Sequence, residues 1–176
     1  MTYSIDYQKK RKYFYRFLII IFLVDSGIAL IIGNNDQLDD NKLLSLLIGL
    51  LGFTFVFYLF PLIILYFNYL NRNKNYVLTV VNDSKMIYND TRNRKEFLIS
   101  DVKCLEMHLS KTVFENRMRW FFWDELFYYR LVLKEGDTFI ISCLLSDNIH
   151  QYFSKSQIKK VKRLFPIIKT ERTVKS

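Results

Sequence analysis

Two long apolar runs dominate the first half of the chain, and short alternating runs fill the second. Residues 17–33 (FLIIIFLVDSGIALIIG) and 43–70 (LLSLLIGLLGFTFVFYLFPLIILYFNYL) are almost wholly apolar, whereas from residue 71 onward apolar and charged positions alternate. With residues 13–16 included, the first run reaches about 21 residues, enough to cross a hydrocarbon core of about 30 Å at 1.5 Å per residue. The pattern predicts transmembrane helix 1 at 13–33 and transmembrane helix 2 at 43–70. A cleaved signal peptide fits less well. The apolar run is too long, and Gly33-Asn34-Asn35-Asp36 offers no small-x-small site. The second run exceeds a straight span, so it is expected to tilt or continue past the interface, with a bend at Pro61. Tyr13, Tyr15, Tyr66 and Tyr69 fall where an aromatic belt is expected.

Charge sets the expected topology. Residues 1–12 form a basic N-terminus. Lys9, Lys10, Arg11, Lys12 and Arg16 precede the first run, and Arg72 and Lys74 follow the second. The short connection at 34–42 carries Asp36, Asp39 and Asp40. By the positive-inside rule both termini are cytoplasmic and the acidic loop is external. The chain is thus expected in a cell membrane, two spans deep.

Asp25 is the one ionisable residue deep in a span. Such a carboxyl is costly in lipid and points to a role: a proton or ion site, or a polar contact between helices. The midpoint of 17–33 is Asp25 and that of 43–65 is Thr54, so the two could meet at one depth. Gly49 and Gly52 would then permit close helix approach. Two spans with one buried polar group suit helix packing or an oligomer contact better than transport.

Beyond residue 75 the period changes to two. Strands are expected at 76–81, 85–88, 95–99, 102–109, 126–133 and 138–144, with turn chemistry at Asn82-Asp83-Ser84 and Glu135-Gly136-Asp137 and a polar tip at 89–94. Residues 147–165 read as an amphipathic helix, capped by Ser146 or Asp147. Ile149, Tyr152, Phe153, Val161 and Leu164 share one side, Lys155, Lys159, Lys162 and Arg163 the other. Pro166 ends it, and 166–176 form a basic tail.

The order Tyr76-Val-Leu-Thr, Met86-Ile-Tyr, Phe97-Leu-Ile-Ser-Asp-Val-Lys-Cys-Leu, Tyr129-Arg-Leu-Val-Leu-Lys and Phe139-Ile-Ile-Ser, then a closing helix, resembles the bacterial pleckstrin-homology-like (PH-like) domains of small proteins with two membrane helices. The resemblance covers 76–165. It implies a membrane α-helical hairpin plus an α+β cytoplasmic domain, a PH-like β-barrel or sandwich of six or seven antiparallel strands with a C-terminal amphipathic helix. It also implies a protein-interaction platform. Phosphoinositide-binding members carry spaced basic residues between their first two strands. Here that loop is only Asn82-Asp83-Ser84 with Lys85, and the basic tip Arg92, Arg94, Lys95 comes one hairpin later.

The net charge of +9 suits an anionic surface, but Ile, Asn, Lys, Phe and Tyr are abundant throughout, so position carries more information than count. The most unusual stretch is 113–129 (VFENRMRWFFWDELFYY). Trp120, Phe121, Phe122 and Trp123 do not alternate as a half-exposed strand would. Three readings stand: a filled core, a loop inserted at the membrane interface with Arg117 and Arg119 meeting phosphates, or a partner patch. The basic residues Lys155, Lys159, Lys162 and Arg163 are either a solvated face or lipid-facing. Nothing places nucleic-acid bases. Cys104 and Cys143 lack metal spacing and read as buried thiols. His108 and His150 have no paired nucleophile, and no nucleotide, hydrolase or metalloprotease motif occurs. The expectation is a non-enzymatic membrane-anchored scaffold, with no cofactor, metal or small-molecule substrate, whose partners are membrane lipids and a protein or a second copy. The alternative is an accessory subunit of a membrane complex that works through its helical hairpin around Asp25.

Overall fold

A computed structural model describes residues 1–34, 40–82, 84–89 and 94–169. Most of the expected external loop, the hairpin tip with Arg92, and the tail from residue 170 lie outside the described residues. The apolar runs form two helices, Tyr7–Gly33 and Asn41–Asn73, each long and apolar enough to cross a membrane. In the second helix a π-helical turn, Phe55–Leu59, ends two residues before Pro61. Proline has no N–H for the carbonyl four residues back and its ring collides with it, so a widened turn at that point accommodates both defects.

The strands among the described residues form two four-stranded sheets. The first holds β1 (Thr2–Tyr3), β2 (Val77–Val81), β3 (Lys85–Asn89) and β4 (Arg94–Leu98) in that order, all antiparallel. The second has the order β7-β6-β5-β8, from β5 (Val102–Ser110), β6 (Tyr128–Leu133), β7 (Thr138–Ser142) and β8 (Ile158–Arg163). Between β6 and β7 the chain turns at Gly136, whose φ of 99° is readily adopted only by glycine. Thr2 and Tyr3 pair with Thr79 and Leu78, so both long helices are inserted between two neighbouring strands of one sheet. The β unit therefore draws on the N-terminus as well as on residues 76–165.

The expected C-terminal amphipathic helix is absent. Ile149–Tyr152 is a single 3-10 turn, and Ile158–Arg163 is β8, running parallel to β5 with Leu105 opposite Ile158 and Ser110 opposite Arg163. Ser154 and Gln157 explain the break. The Gln157 side chain accepts from the Ser154 amide (3.2 Å), and the Gln157 amide bonds the Ser154 carbonyl (3.0 Å), closing a turn where the helix would have continued. The open edge of β5 then takes the β-branched Ile158 and Val161 as a strand.

The sheets face each other across a core of Leu78, Val80, Met86 and Phe97 from the first and Leu105, Tyr129, Leu131 and Ile141 from the second. Leu145, Ile149 and Phe153 close its end. Strand alternation sends Tyr128 and Ile140 to the opposite face of the second sheet, where the helices lie. Here Tyr13, Phe17, Leu62, Leu65, Tyr66 and Tyr69 from the helices meet Leu126, Tyr128, Ile140, Cys143, Leu144 and Ile168. The second sheet is thus covered on both faces, and the molecule is layered sheet, sheet, helices.

Candidate functional site

The junction between helices and second sheet holds several buried polar bonds. Leu62, Leu65, Tyr66, Tyr69 and Asn73 are buried at i, i+3, i+4, i+7 and i+11, one stripe down the last turns of the second helix. Asn73, fully buried, donates through Nδ2 to the Ile140 carbonyl (2.9 Å) and accepts the Ser142 amide at Oδ1 (2.8 Å). It replaces the strand that β7 lacks on this side. The Tyr88 hydroxyl donates to the same Ile140 carbonyl (3.1 Å). Tyr69 donates to the Pro166 carbonyl (2.6 Å), and Asn68 exchanges two bonds with the backbone of Ile168 (3.1 and 2.8 Å).

The first helix is held as firmly. Asp6 caps it by accepting from the Lys9 amide (2.8 Å). Lys9 then reaches the Leu145 carbonyl, and burial holds its ammonium below the usual lysine range. Asp147 receives Lys12 Nζ (2.6 Å) and the Tyr13 hydroxyl (3.1 Å). Burial alone would raise the Asp147 carboxyl, but these two donors outweigh it and hold it low. Arg16 meets Glu125 at 3.3 Å.

The aromatic stretch divides. Leu126, Tyr128 and Tyr129 are core. Phe122 stacks on Phe17 (4.8 Å), Phe121 lies 5.6 Å from Tyr58, and Trp123 packs between Phe121 and Phe165 (5.2 and 5.4 Å), so these three are half-buried against the helices. Met118 and Trp120 stand out, 72% and 69% exposed, flanked by exposed Arg117 and Arg119 that pair with Glu115 (3.1 Å) and Glu125 (3.8 Å).

Farther out, Thr54 donates to Asp25 across the helix pair (3.0 Å). Asp25 and Ser26 line an open groove of about 330 Å³ walled by Leu18, Ile21, Phe22, Ala29, Leu51 and Leu59. Gly49 and Gly52 do not join this contact. Both are exposed, with open space where a Cβ would stand, because they lie away from the first helix. The basic residues expected on one helix face are distributed otherwise. Lys155 is in the turn before β8, and Lys159, Lys162 and Arg163 are on β8. Lys162 pairs with Glu115, and Arg163 Nε donates to His108 Nδ1 (3.0 Å).

Because an arginine nitrogen can only donate, Nδ1 of His108 is the acceptor, and Nε2 carries the proton facing Glu106 (3.3 Å). Burial, with Arg163 adjacent, lowers the imidazole pKa despite Glu106. Burial pushes the Cys143 thiol up to about 12, which leaves it protonated and a poor nucleophile. Among the described residues no group of three or more His, Cys, Asp or Glu could hold a metal ion.

Sequence reasoning passed over Asn68, Asn73, Tyr69 and Asp147 as anchors. The stripe 62/65/66/69/73 is set apart by burial alone, because Ile63, Ile64 and Phe67 beside it are equally apolar in sequence.

A family model described as PH domain matches residues 2–151, a range that includes β1, both long helices and the strands through β7. No curated protein and no solved structure matches the chain. On a family match that takes in most of its length, the chain belongs to the PH-domain family.

Proposed function

We propose that this chain is a non-enzymatic interaction module anchored in a membrane by its helical hairpin, with the PH-like unit held in a fixed orientation at the cytoplasmic face of a bacterial membrane. One observation carries the reading: the helices that are apolar enough to span a bilayer continue without a linker into the core against the second sheet. A flexible tether would let the domain search a volume. A shared core with buried bonds from Asn73, Tyr69 and Asn68 mounts it as a bracket. Such a mount suits a scaffold that presents the same surface to every partner. The outward apolar residues from Ile19 to Ile31 and from Leu44 to Phe60 support the anchor, since that much exposed Leu, Ile, Val and Phe is stable only in an apolar surrounding. Basic residues before the first apolar run and after the second favour the cytoplasmic placement of both.

The test combines topology and capture. In a Cys104→Ser background, a cysteine at Lys155 should react with a membrane-impermeant maleimide only after the cells are opened, and one at Lys42 should react in intact cells. The reverse pattern would sink the orientation. Crosslinking of the intact protein in its membrane should then trap a protein partner on the β unit. A consistently partner-free monomer would overturn the scaffold reading.

A second reading has its own support in the Thr54–Asp25 bond and the groove beside it. Here the chain is an accessory subunit whose hairpin docks a partner helix at Asp25. If Asp25→Asn abolishes capture while changes on the β unit leave it intact, this reading replaces the first.

A further inference from the structure

We infer that the loop bearing Met118, Arg119 and Trp120 is a third attachment to the bilayer, seated in its headgroup and upper acyl region beside the hairpin. The inference rests on the anchored reading above and adds where the bilayer surface crosses the molecule.

Length carries the argument. A hydrocarbon core of about 30 Å takes about 20 helical residues. Counted inward from Gly33 and from Lys42, about 20 residues end near position 14 in the first helix and near position 61 in the second. The β unit already touches the helices above those levels, with Phe122 on Phe17 and Phe121 beside Tyr58. The hairpin is therefore some three residues, or about 4–5 Å, too short to keep that loop clear of the lipid. Tilt of the helices would draw it deeper.

The side chains at this level suit the position. Met118 and Trp120 are the most exposed apolar residues of the loop, and the next residues along, Phe121 and Phe122, rest on Tyr58 and Phe17 of the helices. Arg117 and Arg119 supply cations for lipid phosphates, and Arg16, just inside the counted span, reaches that level by extending its side chain outward, while their partners Glu115 and Glu125 restrain them. Tryptophan is favoured there because its ring prefers the apolar side and its N–H the wet side. The C-terminal end of the loop is tied to the β unit. Buried Asp124 accepts from the Phe121 amide (3.4 Å), and Ser110 donates to the Asp124 carbonyl (3.5 Å). By the same measure the second helix beyond about position 61 is an extramembrane stalk within the β unit.

The chain has two tryptophans, so Trp123→Phe leaves Trp120 as the single reporter. The full chain is reconstituted in phosphatidylcholine–phosphatidylglycerol vesicles with lipids brominated either near the headgroup or near the chain end. Trp120 emission should shift to the blue relative to Trp120 in an unfolded control, be quenched more by the shallow bromines than the deep ones, and resist aqueous iodide several-fold better than that control. If packing at Phe121 and Phe165 suffers in Trp123→Phe, an environment-sensitive dye on Met118→Cys in the Cys104→Ser background gives the same depth reading. Full iodide access with no bromine quenching in protein that floats with the vesicles and resists alkaline extraction overturns this inference alone. Protein that fails to stay with the vesicles overturns the anchored reading with it. Protection from iodide in native membranes but not in vesicles assigns the loop to a protein partner and likewise overturns the lipid assignment.

Discussion

Replacing Asn73 with alanine tests whether the helical stem is welded to the second sheet. Asn73 makes two bonds to the backbone of β7, and they are not equivalent. Removing Nδ2 leaves the Ile140 carbonyl with the Tyr88 hydroxyl at 3.1 Å, so that loss costs about 0.5–1.5 kcal/mol. Removing Oδ1 leaves the buried Ser142 amide without that acceptor, which costs about 1–3 kcal/mol. Together Asn73→Ala should destabilise the protein by about 2–4 kcal/mol, a large part of a domain's stability. Denaturant unfolding of the detergent-solubilised chain, followed by tryptophan emission, gives the free energy. Hydrogen exchange at the Ser142 amide gives the local effect, and its protection should fall. Asn73→Asp keeps the acceptor for Ser142 but turns a second oxygen toward the Ile140 carbonyl. Its buried carboxyl should favour the protonated form, so its stability should drop as pH rises through the carboxylate range. A change under about 0.5 kcal/mol in Asn73→Ala, with Ser142 protection intact, would refute the welded junction.

Other expectations follow from single contacts. Tyr69→Phe removes the donor to the Pro166 carbonyl and should cost about 1–2 kcal/mol in the same unfolding assay, without altering helix content by circular dichroism. Folded His108 sits below its ordinary pKa because of burial and Arg163, so the unfolded chain binds the proton better. Its contribution is complete above about pH 6.5 and declines as pH falls below it, and His108→Gln should flatten the unfolding profile there. Gly136→Ala places a Cβ on a residue with φ of 99° and should lower stability by about 1 kcal/mol through the β6–β7 turn, despite the open space around it. Thr54→Val deletes the hydroxyl that donates to Asp25 across the helix pair and should weaken the hairpin by about 0.6–1.7 kcal/mol in a detergent-unfolding series.

Local pattern made most elements legible. Period-two runs located β2 to β7 to within a residue or two, because alternation is imposed by the pleat itself and survives any arrangement of neighbours. The two apolar helices were equally plain, since no other element accommodates so long an unbroken apolar run. The shared depth of Asp25 and Thr54 followed from counting residues along rods of known rise.

What depended on neighbours was misread or missed. Residues 158–163 carry a helical charge pattern, yet the free edge of β5 makes them a strand, and no local rule reports that edge. Thr2 and Tyr3 are too short to register as a strand until β2 is there to pair with them. Gly49 and Gly52 looked like contact residues by spacing, but helix rotation turned them outward. The aromatic stretch was a single feature in sequence and became three environments in space, because the sandwich, the stem and the surface each took part of it. The second apolar run is longer than a straight span needs, and its last turns pack against the second sheet. Hydrophobicity along a chain registers that a residue will leave water; whether lipid or protein receives it is settled only by which surfaces the fold brings together.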